Sequence, residues 1–147
     1  MRSDYYKSER FIHDELCRRS EQGVASIQQI WKEQGKIGPF FLAWPAEIVK
    51  AHDGTPIEDI CRLELPEVKE EWSKLFQQAV ELTKAYAILL CEQKEDGVKV
   101  ILESPHGTRC WTLPIERHGD VYVLGKVNIK DDVESVGLLW RPNRGRA

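Results

Sequence analysis

Glu116, His118 and Asp120 stand close together near the end of this chain, and a histidine among carboxylates can take up and return a proton near neutral pH. A small hydrolase could be built on such a group. His106 stands on an earlier turn of the same region and would enlarge the cluster if the two turns met. They are not expected to meet, because successive hairpins of a meander close at opposite ends of its sheet. Turn positions also select polar residues that tolerate unusual φ, which accounts for both histidines without any chemistry.

The thiols offer less. His13 and Cys17 are one helical turn apart, and Cys110 could be paired with His118. Structural zinc takes four converging ligands, usually in closely spaced pairs, and Cys17, Cys61, Cys91 and Cys110 contain no C-x-x-C. No metal and no cofactor is expected. Cys91 and Cys110 fall inside strand-like runs and read as small hydrophobes, while Cys61 is the least constrained. Neither G-x-x-x-x-G-K-[ST] nor G-x-G-x-x-G is present, and Gly107-Thr108-Arg109 is too short to define a phosphate site.

Composition sets the class. The chain has 147 residues and a formal net charge of −3, which argues against a broad basic face for nucleic acid. Arg18-Arg19 and the tail residues Arg141, Arg144 and Arg146 are scattered, as solubility demands. No apolar run approaches the ~18–20 residues that cross a bilayer, so no membrane is expected. The opening MRSDYYKSER lacks an apolar signal region, and four unpaired thiols suit a reducing compartment. The cytoplasm is the expected location.

These residues need elements to position them. Apolar spacing predicts one domain of α+β class: a helical half over about 1–84, an antiparallel meander of about five strands over about 85–141, and a short basic tail at 142–147. Two helices are expected at about 4–21 and 24–34, stopped by Gly23 and Gly35. An extended stretch at 37–44 should cross the core. Short helices are expected at about 45–51, opened by Pro45, and at 55–63, where Thr55 and Glu58 suggest a capping box. The strongest helical pattern covers 66–84, with Val68, Trp72, Leu75, Phe76, Ala79 and Leu82 on one stripe.

In the meander, opposite charges and matched apolar pairs select the registers. They set Glu92 against Lys99 and Leu89 against Leu102 across a four-residue loop. The turn Ser104-Pro105-His106-Gly107 then aligns Glu103 with Arg109 and Ile101 with Trp111. Around His118-Gly119, Ile115 faces Tyr122 and Leu113 faces Leu124. A last strand is expected at about 133–140, after the turn Lys130-Asp131-Asp132.

Both faces of this sheet come out apolar. One carries Ala87, Leu89, Cys91, Val100, Leu102, Cys110, Val121 and Val123. The other carries Leu90, Ile101, Trp111, Leu113, Ile115, Tyr122 and Leu124. A sheet wetted on one side alternates apolar with polar, so something must cover the second face. The helical half, a ligand or another molecule would serve. The leading expectation is a small non-catalytic binding or adaptor protein that uses Trp111, Tyr122, Ile101, Leu113 and Leu124 for a protein partner or for its own copy. The first alternative is a container with a small apolar ligand between sheet and long helix, and the second is the hydrolase built on Glu116, His118 and Asp120.

Overall fold

The computed structural model describes residues 2–45 and 61–140 and begins with one helix where two are expected. Helix α1 (Arg2–Gln34) passes straight through Gly23, where an added Cβ would meet nothing within 4 Å. An exposed helical glycine costs only ~1 kcal/mol against alanine. Burial of Leu16, Val24, Ile27 and Trp31 on either side of it outweighs that. Gly35 does end the helix, with φ 71° and its N–H donated to the Trp31 carbonyl at 2.7 Å.

Of the helix expected at 45–51, Pro45 instead ends a strand and the rest lies outside the described residues, as does most of the one at 55–63. Where description resumes, the chain is strand β2 (Cys61–Glu64), paired with β1 (Phe40–Pro45) through Phe41 and Leu63. Strand β1 runs between β2 and β3, so the stretch at 37–44 does cross the core. The strongest helical pattern gives a single 3-10 turn at Lys69–Glu71 followed by α2 (Trp72–Thr83). Trp72, Phe76 and Ala79 are its buried stripe, whereas Val68 and Leu82 are 53% and 85% exposed. Lys84, in the left-handed region at φ 49°, closes it.

The meander follows as β3 (Ala85–Lys94), β4 (Gly97–Ser104), β5 (Gly107–His118), β6 (Val121–Leu124) and β7 (Asn128–Asp131). The sheet order is β2-β1-β3-β4-β5, with β6 and β7 both on the far edge of β5. Ile115 pairs with Leu124 and Thr112 with Asn128, so three steps along β5 answer four along its neighbour. Strands β6 and β7 are therefore one strand broken by a one-residue bulge.

The β3–β4 register is the expected one, with Glu92 opposite Lys99 and Leu89 opposite Leu102. Its turn is tighter, because the ladder continues to Lys94 and Gly97. The β4–β5 register differs from expectation by one residue. Ser104 pairs with Gly107, which places Val100, not Ile101, opposite Trp111. A slip of one exchanges the two faces of a strand. The β5–β6 register is displaced by two, giving Ile115–Leu124, which leaves the faces as expected. The last strand is β7, not 133–140: residues 133–140 form an irregular strap without strand pairing.

Both faces are covered by the chain itself. On one, α1 buries Ala87, Leu89, Cys91, Val98, Val100, Leu102, Trp111 and Leu113. On the other, α2 and the strap enclose Phe41, Ala43 and Ile88, with Val136, Leu138 and Leu139 packed against them. Phe41 and Phe76 stack there at 4.4 Å. The strap is tied down by Glu103, a fully buried carboxylate of β4. Its Oε1 accepts the N–H groups of Val136 and Gly137 at 2.7 and 3.0 Å, and its Oε2 those of Leu138 and Leu139 at 2.8 and 2.6 Å.

Candidate functional site

Helix α1 packs across β4, β5 and β6, and does not reach as far over β1 and β3. An apolar cleft of about 370 Å³ opens between them. Its floor is Phe40, Leu42 and Trp44 of β1 with Leu89 and Val100, and its wall is Leu16, Val24, Ile27 and Ile30 of α1. Alternation along β1 turns Phe40, Leu42 and Trp44 to this side while Phe41 and Ala43 face α2. Ser20, Gly23 and Ser26 are the small residues of the wall, and an added Cβ at Gly23 would meet nothing within 4 Å.

Arg19 and Arg62 are the charged lining residues. The guanidinium of Arg62 lies 4.3 Å from the centre of the Phe40 ring, a cation–π contact that holds its plane at the mouth. Its Nε donates to Glu64 at 2.7 Å. In the core beside the cleft, burial pushes the Cys91 thiol up to about 12, against the pull of the Arg62 charge. Cys91 is thus a protonated, apolar core residue at neutral pH. A second hollow of about 680 Å³ between α1 and β6 is lined by Gln28, Gln29, Lys32 and Asp120 among others. That lining mixes these polar side chains with Val121, Tyr122 and Leu124, so the smaller and more uniformly apolar cleft is the stronger candidate.

The acid–base group stands in solvent. His118 Nε2 and Glu116 Oε2 approach to 3.4 Å on one face of β5, with their side chains 63% and 48% exposed. Asp120 lies in the following turn and lines the polar hollow instead. His106 is at the other end of β5, as expected, with its N–H on Ser104 Oγ at 3.1 Å. A proton can move within the His118–Glu116 pair, but both groups are open to water rather than set in a walled pocket.

The residues proposed for partner binding are separated by the structure. Trp111 and Leu113 are fully buried under α1, because the β4–β5 register turns them inward, and Ile101 is buried toward the strap. They cannot form an exposed docking face in this fold. Leu124 is partly buried against the α1 core, and Tyr122 is 56% exposed. The Tyr122 carbonyl accepts a hydrogen bond from Trp31 Nε1 at 2.9 Å, which fastens α1 to β6.

His13 and Cys17 do meet, at 3.6 Å, and His13 Nδ1 lies 2.6 Å from Ser104 Oγ. All three are buried, so this is a polar seam joining α1 to the end of β4 and not an open nucleophile. Cys110 meets Glu134 of the strap at 3.5 Å, and burial first, then that carboxylate, raises its thiol. Among the described residues no three His, Cys, Asp or Glu side chains form a group that could hold a metal ion. Sequence reasoning missed Arg62 and Phe40, since their contact spans two strands and nothing local marks it. It also missed Glu103, whose partners lie more than thirty residues away.

Comparison with family models, curated proteins and solved structures gives no match for this chain. What fold and site define is an α+β protein with a helix-walled apolar cleft and no helix among the described residues long and apolar enough to cross a membrane.

Proposed function

We propose that this is a small cytoplasmic, non-catalytic binding protein that takes an apolar small molecule into the cleft between α1 and β1–β3. The observation that carries this reading is the cleft itself. Its size falls in the ~300–1,000 Å³ range of ligand pockets, and apolar side chains form its floor and wall. Gly23 supplies the test. A Cβ added there meets nothing within 4 Å, and leucine gains ~1 kcal/mol of helix propensity while adding a side chain at the cleft wall. The neutral fluorophore N-phenyl-1-naphthylamine should bind the wild-type protein saturably, and Gly23→Leu should weaken it at least tenfold while thermal stability holds or rises. No saturable binding, or equal binding by the variant, would defeat the reading.

One observation favours a second reading, association with a protein partner or a second copy. Strand β7 is exposed along its whole length, and Val121, Tyr122 and Ile129 on the broken edge strand are 60%, 56% and 48% exposed. Solution mass over a concentration series tests it.

A further inference from the structure

We infer that the ligand of the α1 cleft is an anionic amphiphile, an unbranched hydrocarbon chain of about a dozen heavy atoms that ends in a carboxylate. This rests on the cleft being a ligand site. At ~30 Å³ for each water-sized group, 370 Å³ holds a chain of that length. The charge of the lining is one-sided. The whole protein is net negative at −3, yet the charged residues of the cleft are Arg19 and Arg62, with no carboxylate among its lining residues.

Arg62 is set for the head group. Its Nε is occupied by Glu64, and its plane is held over Phe40, which leaves the two terminal nitrogens as a fork. A carboxylate accepts from such a fork through two parallel N–H···O bonds, which an alcohol cannot do. Arg19 adds positive charge from the helix side of the same cleft. Apolar floor and cationic lining together select a chain with one anionic end over a neutral molecule of equal size.

The test is displacement of N-phenyl-1-naphthylamine from the full chain by dodecanoate and by dodecan-1-ol, both below their aggregation limits. Dodecanoate should displace the probe at about a tenfold lower concentration. Arg62→Gln should remove that advantage and Arg19→Gln reduce it, each read as the ratio of dodecanol to dodecanoate concentrations that displace the probe from the same variant. Equal displacement by acid and alcohol, or an advantage that survives both substitutions, overturns the anionic assignment and leaves the apolar cleft standing. Failure of the probe itself to bind overturns the cleft reading and this inference with it.

Discussion

Trp111 of β5 is packed in the core beneath α1 and shows no surface to water. Truncating a buried tryptophan removes its transfer energy and leaves a cavity, at a cost of ~3–5 kcal/mol. Trp111→Ala should therefore lower the urea midpoint by a large step, whereas Tyr122→Ala, at a site 56% exposed, should stay within ~0.5 kcal/mol of wild type. An equal, small effect from both would mean that the indole is not core. The residues themselves told much of this: Trp111, Leu113 and Leu89 are apolar strand positions that had to be buried somewhere. Which side they face was misread, because closing the turn at Ser104–Gly107 pairs Glu103 with Thr108, one residue short of the Glu103–Arg109 ion pair expected with it. The turn won. Its closing glycine adopts φ 150°, and Arg109 finds its carboxylates elsewhere, on Asp131 at 2.7 Å and Glu21 at 3.3 Å.

The strap at 133–140 is the element whose role was least visible. Its run Val133, Val136, Leu138, Leu139 reads as a strand, yet the N–H groups of Val136, Gly137, Leu138 and Leu139 go to one carboxylate instead of a ladder. Hydrogen bonds to a charged group contribute ~1.5–3 kcal/mol each. Glu103→Gln keeps the shape but puts an amide donor against amide donors. It should cost at least one such bond and speed hydrogen exchange at 136–139 far more than in β3, and unchanged exchange there would count against the latch. A weaker tie lies beside it, Lys99 Nζ to Glu134 Oε1 at 2.9 Å. Lys99 holds the Glu134 carboxyl below its usual value, and Glu134 raises Lys99. The glutamate's contribution is therefore present above ordinary carboxylate pH and lost as pH falls through the lowered value. The lysine's is present below its ordinary value and lost as pH rises through the raised one. Between those limits the tie holds, and at its exposure it adds only ~0.2–1 kcal/mol. Helix α1 was legible as helix on both sides of Gly23. Only tertiary burial by the sheet shows that the glycine does not interrupt it.

Across the whole molecule, one sheet serves two layers, with α1 on one face and α2 plus strap on the other. The doubly apolar sheet was readable from sequence, and so was the need to cover it. The cover could not be read, since part of it comes from residues that follow the sheet. Self-association then falls to the exposed edge of β6–β7. If that edge pairs copies, light scattering should show mass rising with concentration and Tyr122→Ala should suppress the rise. A constant monomer mass at high concentration would exclude self-association through that edge. The position of the strap has a cost during synthesis. Residues 133–140 leave the ribosome after every described strand and both described helices, so a growing chain carries a finished α1 layer while the α2 side still lacks its strap. Termination just before Val133, after the sheet is complete, would release a product with Leu90 and Ile101 uncovered and Glu103 sealed against nothing, a species for proteases and chaperones to find.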